Sequence, residues 1–125
     1  MPRPRADERL RDIVEAVTDI MAFVKDMSSD AFEALAENDR RTYRAIKNAV
    51  SEIGEAVTAL PPEICDRHPA IDWQGIAGLR DVVIHKYFAV DLPLLWPVLT
   101  EEFPALLEAV MKELGEDGPT GTGGK

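Results

Sequence analysis

The stretch Asp39-Arg-Arg-Thr-Tyr-Arg-Ala-Ile-Lys-Asn-Ala-Val-Ser-Glu-Ile-Gly-Glu-Ala-Val-Thr-Ala-Leu-Pro-Pro62 decides the fold. Tyr43, Ile46, Val50, Ile53, Val57 and Leu60 recur at steps of three or four, the period that gathers apolar residues into one stripe on a helix. Asp39 offers an oxygen to the free N–H groups at its start, and Pro61-Pro62 ends it, because a residue before proline is pushed out of the helical region. On the N-terminal side the same period runs through Leu10, Ile13, Val14, Val17, Ile20, Met21, Val24 and Met27, which predicts a long amphipathic helix from Asp7 to Met27. Ser28-Ser29-Asp30 breaks the chain and caps a short helix over 31–36 that ends near Asn38. On the C-terminal side, 61–70 carries three prolines and the polar run Cys65-Asp-Arg-His68, and reads as a loop. Asp72 caps a helix from Trp73 to about Phe88. Asp91 caps a last helical region, Leu92 to Leu114, where Pro97 and Pro104 impose a kink or a break and Thr100-Glu-Glu reads as a fresh cap. Gly75 and Gly78, one turn apart, suggest close approach by a neighbouring helix, with the one that contains Gly54 as a candidate. No strand alternation appears. The expectation is an all-α bundle of four main helices and a short one over residues 1–114, followed by a flexible Gly-rich tail over 115–125.

Composition bounds what such a bundle can do. A chain of 125 residues is one domain, large enough for a hydrophobic core without disulfides, and it carries a single cysteine. No apolar run approaches the ~18 residues that would span a bilayer, and no apolar stretch follows the basic start as in a signal peptide, so a cytoplasmic, membrane-free protein is expected. Fourteen Lys and Arg face 23 Asp and Glu, a net charge of −9, which argues against a protein that binds polyanions over a broad surface. The basic residues are uneven, however. Arg40, Arg41, Arg44 and Lys47 open the central helix with only Asp39 to offset them, and Arg3, Arg5, Arg9 and Arg11 gather near the N-terminus. Such a cluster is either a local rim that holds phosphates or a solvated face.

Gly-rich phosphate loops, paired metal-binding histidines and nucleophile-elbow serines are absent from the sequence. Cys65 and His68 could supply two metal ligands, yet a structural zinc takes four, so His68 reads as an incidental loop histidine and no metal or other cofactor is expected. What remains is Gly78-Leu-Arg-Asp-Val-Val-Ile-His-Lys-Tyr-Phe88, where Arg80, Asp81, His85 and Tyr87 interrupt an apolar helix. Asp81 and His85 are four apart and share a face, so the carboxylate can orient or charge the imidazole. Arg80 and His85 differ by about 140° around the axis and ~7.5 Å along it, so one helix does not bring them together. A second copy, packed about a two-fold axis, could. The plainer alternative pairs Arg80 with an acid on a neighbouring helix and leaves His85 bonded at an interface. Trp73 and Trp96 read as core or interface residues.

Arg80-x4-His85-x-Tyr87, with an aspartate directly after the arginine, resembles the signature of the HEPN superfamily, in its HepT-like branch of toxin ribonucleases. The flanks agree: Glu52-Ile-Gly-Glu-Ala56, Arg67-His-Pro69, Asp72-Trp73, Val90-Asp-Leu92 and the run through Trp96. The likeness covers about residues 7 to 114. It implies a homodimer with both motifs lining one cleft, and metal-independent RNA cleavage by attack of a ribose 2′-hydroxyl on the adjacent phosphorus. In that scheme His85 is the general acid/base, Arg80 clamps phosphate, Asp81 orients one of them, and Arg40, Arg41, Arg44, Lys47 and Lys86 contact RNA. It also implies a partner antitoxin, an MntA-type nucleotidyltransferase, that silences the enzyme by transferring AMP to Tyr87. The rival expectation is a non-catalytic HEPN subunit that docks on a nucleotidyltransferase.

Overall fold

The computed structural model of the chain describes residues 2–84 and 92–115, and every regular element among them is helical. Helix α1 spans Pro2–Val24, followed by two short helices, α2 (Ser29–Glu33) and α3 (Leu35–Asn38). The central α4 is Arg40–Thr58, α5 is Pro62–Asp66 and α6 is Trp73–Ile84. Helix α7 (Leu92–Pro97) runs through a π-helical turn, Val98–Glu102, into α8 (Phe103–Glu113). The long elements α1, α4, α6 and α8 form the bundle. α4 makes its most extensive contacts with α6 and α1, and α1 also packs on α8.

The stripes read from the sequence are the core. Ile13, Val17, Ile20, Ile46, Val50 and Ile53 are fully buried between α1 and α4, and Phe32, Leu99, Phe103 and Leu106 close the far side. Fully burying side chains of this size is worth about 1.5–3 kcal/mol each, which is what holds helices of modest intrinsic propensity in place. Both expected caps on the central segments are made: Ser28 Oγ accepts from Ala31 N–H at 3.1 Å, and Asp39 accepts from the Thr42 N–H and hydroxyl at 3.1 and 2.7 Å. These hydrogen bonds hold the Asp39 carboxyl below its ordinary pKa. Trp96 packs against Phe32 at 5.2 Å between ring centroids and Trp73 lies against the core, as expected of both.

Four expectations need correction. The short helix over 31–36 is two pieces, broken at Ala34. The segment 61–70 is not all loop: Pro61 ends α4, and Pro62, with its φ preset, starts the extra helix α5. Thr100 caps nothing. Its hydroxyl donates to the Trp96 carbonyl at 2.8 Å, and the chain passes from α7 to α8 through the π turn, where Phe103 N–H reaches back to Val98 O. Pro104 has no N–H for the Thr100 carbonyl and its ring crowds that oxygen, so the helix widens by one residue there and does not restart. Of the glycines, it is Gly54 that meets a neighbouring helix, while Gly78 faces open space. The expected caps at Asp72 and Asp91 divide: Asp72 Oδ1 accepts from Gly75 N–H at 3.0 Å, whereas Asp91 lies outside the described residues. Gly115 closes α8 with φ +79°, and the tail beyond it is likewise outside them.

Candidate functional site

Gly54 lies so close to α6 that a Cβ there would sit 3.0 Å from Arg80 N and 3.2 Å from the carbonyl oxygens of Ile76 and Ala77. Backbone therefore packs on backbone where α4 meets the middle of α6. The next residue on α4, Glu55, projects outward and meets the side chain of Arg80, with Glu55 Oε2 3.7 Å from Arg80 Nε. Both side chains are exposed, 71% and 47%, so this is a loose pair in high dielectric, worth under about 1 kcal/mol before discounting for solvent. Arg80 thus has the acidic neighbour anticipated by the plainer alternative, but one that leaves its side chain about half exposed. Asp81 is exposed beside it. His85, Lys86 and Tyr87 lie outside the described residues, so the structure brings together only the first half of the expected motif.

α4 divides in charge along its length. Arg40, Arg41 and Arg44 are exposed in its first half, and half-buried Lys47 extends its ammonium over the Tyr43 ring at 6.0 Å from the centroid. Eleven residues make close to three turns, so Arg41 lies in line with Glu52 and Arg44 with Glu55, each pair ~16 Å apart along the axis. The basic half occupies the positive end of the helix dipole and the acidic half the negative end, the order that a helix built for stability alone would avoid. Glu52 and Glu55 also line a groove of about 320 Å³ between α4 and α1, opposite Asp12 and Glu15, with Arg9 bonded to Asp12 at 2.9 Å.

A clasp unnoticed in the sequence holds the chain that leads into α6. Glu113, near the end of α8, accepts from Arg67 Nη2 at 2.6 Å and Nε at 3.0 Å, and its Oε2 is 2.6 Å from His68 Nε2. The Arg67 fork above all, with help from His68 and against burial, lowers the Glu113 pKa to about 2. The His68 carbonyl in turn accepts from Trp73 Nε1 at 2.9 Å, and Asp72 caps the same helix end. His68 is therefore a structural residue and not the incidental loop histidine expected. No local pattern signals a partner 45 residues away. Cys65 beside it is a poor nucleophile, because burial, and then the nearby Asp66, push its thiol pKa up. Among the described residues no group of His, Cys, Asp and Glu could hold a metal ion, and no helix is long and apolar enough to cross a membrane.

Comparison with known proteins places the chain in a family. The family model described as "Ribonuclease HepT-like" matches residues 13–113, which includes α4, the clasp and the whole Arg80–Tyr87 motif. A Methanocaldococcus jannaschii protein named "Putative RNase MJ0127" is 34% identical over 121 residues, 94% of this chain and 97% of its own length. "Probable ribonuclease HepT" of Thermococcus cleftensis is 36% identical over 97 residues, 78% of this chain and 84% of its own length. A third relative, "Putative RNase TTE0752" of Caldanaerobacter subterraneus subsp. tengcongensis, is 34% identical over 113 residues, covering 90% of this chain and 93% of its own length. No solved structure matches significantly. The chain belongs to the HepT-like ribonuclease family of the HEPN superfamily.

Proposed function

We propose that this protein is the toxin ribonuclease of a toxin–antitoxin pair, cleaving RNA as a homodimer through Arg80, Asp81 and His85. The observation that carries this reading is a solvent-facing arginine of the family motif on α6, held by backbone packing yet only loosely paired. A guanidinium so placed can grip two phosphate oxygens and stabilise the charge that builds on them. His85, with an imidazole able to transfer protons near neutrality, takes the proton from the ribose 2′-hydroxyl or returns one to the leaving 5′-oxygen. Attack of the 2′-oxygen on phosphorus breaks the P–O5′ bond and leaves a 2′,3′-cyclic phosphate and a 5′-hydroxyl, with no metal required. Asp81 orients His85 or Arg80. The two copies of α6 supply the convergence that one helix cannot.

The basic half of α4 gives RNA a landing strip, with Arg40, Arg41, Arg44 and Lys47 arranged against the helix dipole and Lys86 adding to it from the motif. An MntA-type nucleotidyltransferase silences the enzyme in the cytoplasm by adding AMP to Tyr87. The bulk and negative charge of the added phosphate keep RNA out. Expression without a partner tests the reading. Wild type should arrest growth and degrade RNA, while Arg80→Ala and His85→Ala should do neither. Intact RNA and normal growth with the wild type would instead favour a non-catalytic subunit that docks on a nucleotidyltransferase. Co-expression with the nucleotidyltransferase should add about 329 Da per AMP unit to the wild type. The Tyr87→Phe variant should not gain that mass.

A further inference from the structure

We infer that Glu55 is a built-in competitor for the RNA phosphate at Arg80, and so a determinant of which RNAs the protein accepts. The inference rests on the reading of Arg80 as the phosphate clamp. Three features carry it. Glu55 is placed by construction: Gly54 lets α4 touch the α6 backbone at Arg80 N, and the residue that follows carries the carboxylate. Its oxygen lies 3.7 Å from Arg80 Nε, near enough to attract the guanidinium and too far for a good hydrogen bond, so a phosphate that offers two short bonds displaces it. It also stands in the acidic half of α4, one turn beyond Glu52. Arg44, in line with it, belongs to the basic half, whereas Glu52 and the α1 acids Asp12 and Glu15 continue the negative groove.

An RNA backbone at Arg80 is therefore drawn along the line of α4 that leads to Arg44 and repelled from the groove side that holds Glu52, Asp12 and Glu15. Any RNA must first release Arg80 from Glu55. A substrate whose shape delivers a phosphate directly to Arg80 does so at little cost, while weak contacts with bulk RNA do not.

The test is binding of a fluorescein-labelled 2′-O-methyl oligoribonucleotide, which lacks the attacking hydroxyl, measured by anisotropy on the full chain. Glu55→Gln should tighten binding about two- to fivefold, the range set by the strength of an exposed ion pair. Glu52→Gln, with the same charge change one turn away, should gain less. In an Arg80→Ala background the gain from Glu55→Gln should disappear. Equal gains at the two glutamates, no gain at Glu55, or a gain that survives in Arg80→Ala would overturn the inference and leave the clamp intact, provided Arg80→Ala itself binds more weakly. If Arg80→Ala binds and cleaves like the wild type, the clamp reading fails first and the competitor falls with it. All three side chains are exposed, and matched melting temperatures verify that the variants are folded.

Discussion

Replacing Gly54 with alanine is the sharpest test of how the site is built. Inside an exposed helix the change would stabilise by about 1 kcal/mol, because glycine is the poorer helix former. Here the added Cβ would meet Arg80 N at 3.0 Å and the Ile76 and Ala77 carbonyl oxygens at 3.2 Å, against ordinary contacts beyond 3.4 Å. All three are backbone atoms of one helix, so relief requires α6 to move as a body by several tenths of an ångström. Overpacking of this kind costs about 1–3 kcal/mol. Subtracting the helix gain leaves a net loss near 1 kcal/mol, a fall in Tm of roughly 3–5 °C for a domain of this size. Gly78→Ala is the matched control. Nothing lies within 4 Å of its Cβ position, so the same chemical change should raise Tm by a similar amount. Differential scanning calorimetry at one protein concentration, with light scattering to verify equal assembly, reads both. A Gly54→Ala protein that melts at or above the wild type would refute the close α4–α6 contact and the placement of Glu55 against Arg80 that follows from it.

Glu113→Gln should cost about 1–2 kcal/mol at pH 7, the lost fork to Arg67 being partly screened by its exposure to water. Because the folded-state pKa is depressed to about 2, that contribution is present above the ordinary carboxylate range and fades as pH falls from about 4.5. The wild-type advantage in Tm should therefore shrink below pH 4 and vanish near pH 2. Phe103→Ala, which empties a fully buried site, should cost about 3–5 kcal/mol by urea denaturation. Arg41→Glu combined with Arg44→Glu should weaken RNA binding at least tenfold at low salt. Its melting temperature should hold or rise, because the acids suit that end of α4, and a clear loss of stability would show that the arginines are structural.

Periodicity alone located the core. The stripe from Tyr43 to Leu60 is buried, that from Leu10 to Val24 is buried except for the half-buried Val14 and Met21, and the caps at Ser28, Asp39 and Asp72 are made locally, within three residues of the groups they satisfy. Prolines were harder to read, because the same ring that breaks a helix also starts one. Pro62 begins α5, and Pro104 widens the chain into a π turn where a kink or a break was expected. The candidate site was half legible: Arg80 and Asp81 stand out as polar residues in an apolar helix, but Glu55, the acid that meets Arg80, does not.

The amino-acid sequence by itself determined the helical class, the face each long helix buries, and the presence of polar residues such as Arg80 and Asp81 on an otherwise apolar helix. These are properties of neighbours within a turn or two. Tertiary structure decided which charges meet. Glu55 reaches Arg80 only because Gly54 lets two backbones touch, and Glu113 clasps Arg67 and His68 across 46 and 45 residues. Such pairings depend on how helices dock, a geometry set by packing of the whole bundle and invisible in any local window of the chain.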